Sequence, residues 1–492
     1  MFKTIFSKKN IPFLLLDIVL FLGCFLFVKV SFGRFVFILV ALLFYVLFSF
    51  VLKNRVLAAL LFIFSTLPFN ITYQLPSTVE VLGTKFFLYD PYVNGVIVNY
   101  LVPTVSIVDV GIFLLLYSIL FTYGLSSFKR VFVKLKYWLI SLLLFFVVQA
   151  VLRLDILFLL NSCRIVGVLF SFFLVFFLIR DGRIVFSKRF TNIFLLILLT
   201  NVFVQGVIAW SQLMKGASLG FTFLGESQVV SGMRGSSFVE FGGKLFLRGY
   251  GTFPHPNILA GFFLLASIIA FTSMFKSGKY TKFLSILILV FSSIFVLFTL
   301  SRIVICLFLF NYLTVFLWKM YERYSGKKMF SFEFMPLLYL VERFSNIFNA
   351  DDSSLVEREK LMIASFRVIE KNLFFGMGIG GFVKGMAEFV PRSIRGIMIL
   401  QPVHNVMLLS LSELGIVGFF LFWGIIIKFL CINIRRFTFL TFIILVNVLV
   451  IGSFDHYFFS LPQGLLIFSS FLLLSVLNSY SLKEYEYDIE KE

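Results

Sequence analysis

The sequence predicts an all-α polytopic membrane protein: a bundle of 12–14 transmembrane helices carrying large extracytoplasmic loops. Three observations predict it. The 492 residues are 60% hydrophobic and only 14% charged, against roughly 45–50% and about 25% in soluble domains. The apolar residues gather in long unbroken runs. Lys and Arg collect in alternate short segments between those runs. A mean hydropathy of +1.03 excludes an ordinary soluble enzyme, a disordered chain and a fibrous repeat.

A bilayer core about 30 Å thick needs ~20 apolar residues per helix. Thirteen stretches qualify, near 11–30, 34–52, 56–69, 104–124, 137–152, 156–179, 191–213, 257–275, 283–300, 303–318, 405–427, 437–452 and 462–480. In lipid the backbone must satisfy its own hydrogen bonds, so these are helices. Strands of a membrane barrel would be shorter and would alternate in polarity. With the N-terminus inside, the cytoplasmic segments hold Lys8 and Lys9, Lys53 and Arg55, Lys129–Lys136, Arg180–Arg189, Lys276–Lys282, Lys319–Lys328 and Lys428–Arg436, as the positive-inside rule requires. Parity then demands one more crossing between 328 and 405, for which the segment Met329 to Leu340 is the only candidate. The chain divides into N-terminal helices 1–213, a loop 214–256, helices 257–328, a weak span with a large loop 329–404, and C-terminal helices 405–492.

The first run follows two lysines like a signal peptide, but no small-residue cleavage site follows it, so we read it as a retained anchor. Cys24, Cys163, Cys306 and Cys431 lie within or beside apolar runs without paired spacing. They read as small buried residues, not a disulfide framework or zinc site. The net charge of +19 is mostly topology. It is spread over loops, which argues against nucleic acid. No internal repeat is visible, nor paired Gly/Pro-broken spans of the kind that mark transporters.

The polar residues concentrate in three outside loops, about 70–103, 214–256 and 341–404. The first, with Tyr73, Tyr89, Asp90 and Tyr92, reads as a lid or interface belt. The second ends in RGYGTFPHPN (248–257). Asn257 suits a helix N-cap and Pro256 the turn leading into it. The bland reading is a rigid capped turn. Arg248 argues for more, because a guanidinium fork beside a helix N-terminus makes a seat for phosphate. His255 lies in the same knot. Ser301-Arg302 parts two spans with almost no loop; Arg302 either snorkels to the interface or is a second cation aimed at the same anion.

The third loop carries Arg343, Arg358, Lys360, Arg367, Lys371, Lys384, Arg392 and Arg395. Leu355 to Ile369 has helical periodicity and runs into Gly376-Met-Gly-Ile-Gly-Gly. No strand precedes those glycines, so a Gly-permitted turn is a better reading than a nucleotide loop. Then come His404 and Asn405 at the outer mouth of a span. Neutral imidazole is a suitable base near pH 7. Glu413 lies nine residues on, ~13.5 Å along a helix, too far to touch His404, so it reads as a supporting or helix-packing group. His255, His404 and His456 have no ligand spacing among themselves, and Asp351-Asp352 reads as a solvated turn; no metal is expected. Asp17 and Asp109 lie within spans and Asp155 sits at a span mouth, too scattered for a proton relay.

Four elements in order, RGYGTFPHPN-Ile258-Leu-Ala, Ser301-Arg302, Arg358 with Ala364 ahead of the Gly376 stretch, and His404-Asn-Val-Met-Leu to Ile416-Val-Gly, make residues 240–425 resemble the O-antigen ligase and polymerase family of bacterial membrane glycosyltransferases. Two positions depart from that family's pattern. Leu361-Met362 stands where an aromatic is common, and Phe374 where a proline is. The resemblance implies a GT-C-like bundle in the bacterial cytoplasmic membrane with its active site on the extracytoplasmic face. It implies a polyprenyl-diphosphate-linked glycan as donor, a glycan or lipid acceptor, no cofactor, and a metal-independent inverting transfer. A chain-length regulator or a flippase is the partner it suggests. In that reading Arg248 and Arg302 hold the diphosphate and His404 takes the acceptor proton. Arg358, His255, Asn257, Asn405 and Glu413 contact substrate. The competing classes are a transporter or lipid-linked oligosaccharide flippase, and a non-catalytic assembly protein.

Overall fold

The computed structural model describes residues 32–81, 84–153, 155–233, 235–241, 244–274, 278–325, 353–389 and 399–489. The first predicted span, the predicted crossing at 329–340, and Arg343, Asp351, Asp352, Arg392 and Arg395 lie outside the described residues.

Twelve helices account for the predicted spans from 34–52 onward. They are α1 (Phe32–Leu52), α2 (Arg55–Thr66), α3 (Ile107–Tyr123), α4 (Leu125–Arg153), α5 (Ile156–Arg180), α6 (Lys188–Lys215), α7 (Pro256–Met274), α8 (Lys279–Phe295), α9 (Arg302–Ser325), α12 (Val406–Ile432), α13 (Phe439–Phe454) and α15 (Pro462–Ile489). Among the described residues seven are long and apolar enough to cross a membrane by length and composition, and the other five carry shorter apolar stretches, those of α9 and α15 being Arg302–Trp318 and Pro462–Leu477. The polar residues that interrupt the apolar runs serve as caps. Asn54 starts α2, Asp155 starts α5, and Ser106 with Asp109 forms a capping box on α3, each satisfying amides a helix start leaves unpaired. The span predicted from 104 therefore begins at Ile107, because Thr104–Ser106 pairs as a strand with Thr72–Gln74. Asp109, unassigned from sequence, is ion-paired with Arg164 of α5 at 2.7 Å.

α7 is the most buried of the seven long helices. It packs against α8, α15, α9 and α6, so whatever sits at its N-terminus is held from several sides. The loops converge on that end of the bundle. They carry short regular structure that sequence periodicity did not reveal: hairpins Thr78–Val81/Thr84–Phe87, Tyr92–Val93/Val96–Ile97 and Phe238–Phe241/Lys244–Leu247. The predicted amphipathic segment is α10 (Ser353–Lys371), followed by the short α11 (Phe382–Met386).

α12 is broken at Gly415, with φ 63° and ψ −177°. A break inside a span frees backbone groups that lipid cannot satisfy. Here the glycine stretch satisfies them: Met377 and Gly378 amides donate to the Ser412 and Glu413 carbonyls at 2.9 and 2.8 Å, and the Ile416 amide donates to the Leu373 carbonyl at 2.8 Å. Gly376 and Gly415 face each other so closely that a Cβ on either would stand within 2.5 Å of the other's amide nitrogen.

Candidate functional site

Arg248 leaves the Lys244–Leu247 strand at the loop-bearing end of the bundle. Its loop is fixed from below by two amide side chains of α6. Gln212 accepts from the Tyr250 and Gly251 amides at 2.9 Å each and donates to the Gly251 carbonyl at 2.9 Å. Gln205 pairs both ways with Thr252 at 2.8 Å. Buried Glu226 accepts from Gln212 and from the amides of Leu219, Gly220 and Phe221. Such a satisfied buried network holds its members in one arrangement.

Thus fixed, Arg248 donates from Nε to the Thr299 carbonyl at 2.8 Å and from Nη2 to Asn257 Oδ1 at 2.5 Å. Asn257 in turn donates from Nδ2 to Asp455 Oδ2 at 2.6 Å. The other carboxylate oxygen, Asp455 Oδ1, accepts the His456 amide at 2.8 Å and stands 3.8 Å from His404 Nδ1. That last separation is a charge contact, too long for a hydrogen bond. His404 Nδ1 is buried and has no hydrogen-bond partner among the described residues. One chain of contacts thus joins Arg248 to His404 through Asn257 and Asp455.

The further arginines gather around it. Burial pulls the Arg248 guanidinium down to about 10; Tyr250 and Asp455 oppose the drop, and the charges of Arg358 and Arg302 add to it. Arg248 still carries its charge at neutral pH. Arg302 is exposed at the first residue of α9, just after Leu300, which turns the chain in a left-handed conformation. Arg358 sits half-buried on α10. Burial pulls His255 and His456 down to about 3 each; Asp455 opposes this, and the surrounding cations reinforce it. Both imidazoles are neutral in the folded protein. Asp455 is held well below the ordinary carboxylate range: its burial acts the other way, and its interaction with His404 leads what outweighs it.

Several predicted roles are redrawn. Asn257 is not the cap of α7, because its side chain is engaged by Arg248 and Asp455. His255 caps instead, with Nδ1 accepting the Asn257 amide at 3.2 Å and its carbonyl accepting that of Ile258 at 3.1 Å. Pro256 follows as the first helical residue, where a missing N–H costs nothing. Asn405 caps α12 through Leu408 and donates to the Ser453 carbonyl. Glu413 is turned away from the arginines: its carboxylate accepts the Phe382 amide at 3.3 Å and lines a cavity of about 40 Å³ with Tyr100, Asn161, Arg164 and Ser460. That volume suits a few waters.

Sequence reasoning missed Asp455 and the placement of His456. The absence of ligand spacing among the histidines also misled. Ligand atoms of His404, Asp455 and His456 lie within 4.8 Å of one another and could hold a metal ion. The donor set favours an anion beside it instead. Both Asp455 oxygens already accept from protein N–H groups, His456 Nδ1 is engaged with Ser460 Oγ at 2.6 Å, and the nearby guanidinium charges oppose a cation. A signal was present: Asp455-His456 is the only charged or imidazole pair in the turn between the 437–452 and 462–480 runs, on the same side by parity as His404.

The bundle defines an all-α polytopic membrane protein whose loop-bearing end gathers arginines about an imidazole–carboxylate pair. Residues 287–423 match the family model described as O-antigen ligase. Over that segment, which holds three of the four sequence elements, the chain is similar to the O-antigen ligase family. The match includes Arg302, Arg358, His404 and Glu413 and stops short of Arg248, Asn257 and Asp455. No curated protein matches the chain.

Proposed function

We propose that the protein transfers a glycan from a polyprenyl-diphosphate donor to an acceptor hydroxyl, with inversion and without a metal, at the outer face of the bacterial cytoplasmic membrane. Arg248, Arg302 and Arg358 hold the donor diphosphate. His404 takes the proton of the acceptor hydroxyl as its oxygen attacks the anomeric carbon, and the diphosphate departs with the bonding pair. Diphosphate is a competent leaving group, so the protein has chiefly to position the partners and stabilise the developing charge. Asp455 orients His404 and stabilises the imidazolium, as an acid behind a base does.

The observation that carries this reading is the contact chain Arg248–Asn257–Asp455–His404, with Arg302 and Arg358 charges bearing on it. It supplies an anion seat and a base in one place. The test is transfer by purified protein from a lipid-linked oligosaccharide, with sizing of the product. A ladder retained on the lipid carrier assigns polymerase, and a shift onto a different acceptor assigns ligase. Solute flux with no turnover of any lipid-linked donor would overturn the proposal in favour of a transporter.

A further inference from the structure

α10 has a buried apolar face and an outer face on which apolar residues stand with Glu359 and Glu370. Leu361, Ala364 and Val368 are fully buried, against the elements α10 contacts, α11 and α12. Met362, Ile363 and Phe366 point the other way and are 43–55% exposed; Phe374, just beyond the helix, is 63% exposed. Exposed apolar residues grouped with charges on one side of a polar, 19-residue helix suit a partner at a polar–apolar boundary.

Its surroundings say which. Phe375 stacks on Phe145 of α4, with ring centroids 6.4 Å apart and planes 15° apart. Its carbonyl accepts from Gln149 of α4 at 2.8 Å, and Arg153, the last residue of α4, donates to the Gly376 carbonyl. On these same turns of α4, Val147, Val148, Val151 and Leu152 are exposed. They form the flank of a membrane helix that lipid covers. Of that flank, Val148 and Leu152 border the side of α4 that makes these contacts, and the contacts bring the segment bearing Phe374 alongside them. Beside the apolar stripe stand exposed Arg367 and Lys371, lightly paired with Glu370 and Glu388. This is the arrangement of a helix lying in the plane of a membrane interface, with long cationic side chains reaching the headgroups.

We propose that the outer face of α10 is a bilayer-interface surface: Met362, Ile363, Phe366 and Phe374 sink into the boundary between acyl chains and headgroups of the membrane holding the bundle, with Arg367 and Lys371 at headgroup level. Arg358 rides on the same helix and bears on Arg248 and His456. The arginine cluster consequently opens beside the headgroup layer. If the transferase reading holds, a lipid-borne diphosphate reaches the cluster sideways from the bilayer.

The test places a tryptophan at 363 or 366 (Ile363→Trp, Phe366→Trp) in the full chain, reconstituted in phosphatidylcholine bilayers whose acyl chains carry bromine near the carbonyl end or near the tail end. The added emission is read against the parent with its four native tryptophans. The proposal expects carbonyl-end bromine to remove most of the added emission, tail-end bromine less, and aqueous acrylamide little. Met362→Trp serves if either variant fails to insert. Quenching by acrylamide but not bromine would show a water-facing helix and overturn the proposal. Quenching by neither would show a protein partner or a second copy covering the face, and would overturn it equally. The readout is independent of turnover, so a failure here leaves the transferase reading intact, and a failure of transfer leaves this one.

Discussion

Asp455 and Glu413 make an instructive pair. Both are buried carboxylates near the loop-bearing end of the same bundle, yet their surroundings differ. Asp455 is bonded to groups of the proposed centre: Asn257, which holds Arg248, on one oxygen, and the His456 backbone amide, with His404 nearby, on the other. Glu413 accepts the amide of Phe382, the first residue of α11, just beyond the stretch that mends the broken α12. On the proposed reading one carboxylate serves a reaction centre and the other a scaffold. A place inside a recognisable stretch of sequence does not tell which, since Glu413 has such a place and Asp455 does not.

The sharpest way to break this contrast is to remove the groups Asp455 joins. His404→Ala and Arg248→Ala are each expected to lower glycan transfer by roughly 10²-fold or more while the protein still inserts and purifies; near-normal turnover in either would dissolve the proposed centre. Next, Asp455→Asn is expected to cost roughly tenfold or more, and to move the acid limb of the pH–rate profile downward, because the imidazolium loses its compensating charge. An unmoved limb would mean that Asp455 does not act through His404.

Glu413→Gln should behave oppositely. Per folded molecule, transfer stays near the parent level, while stability drops by about 1–3 kcal/mol as the buried carboxylate bond to the loop is weakened; thermal unfolding and specific activity measured on one preparation separate the two. A loss of transfer equal to that of Asp455→Asn would erase the distinction between the carboxylates.

A separate effect, on stability rather than on transfer, concerns the neutral imidazoles. His456 has an ordinary value of 6.5 and a folded value of about 3. Between those limits the unfolded chain binds the extra proton, so stability falls as pH falls from about 6.5 towards 3. The unfolding midpoint should decline across that window, and His456→Gln should flatten the decline. A midpoint indifferent to pH in the parent would contradict a buried neutral His456.

The helices were legible because each needs a long apolar run, and the run is its own signature. Even α10 was foreshadowed, by the periodicity of Leu355 to Ile369 against an observed Ser353–Lys371. Hairpins of two to four residues per strand were not, since so few residues give no alternation to read. The same limit governs the site. Arg302 and His404 stand out as polar residues at the mouths of apolar runs, and Arg248 and Arg358 as arginines in the loops between them. Which of them meet depends on tertiary contacts, such as the 198 residues of chain between Asn257 and Asp455, and these leave no local trace. Asn257 and Asn405 show the converse. Both suit a cap, and only the fold decides that Asn405 is one while His255 takes the place of Asn257.

The sharing of Asp455 has a corollary for anyone altering this protein. Its two oxygens answer to Asn257 and Arg248 on one side and to the histidines on the other, so an alteration at Asn257 is expected to be felt at His404. Double-mutant cycles between Asn257 and His404 should therefore depart from additivity, and retuning one substrate's grip without revisiting the other's is a poor engineering strategy.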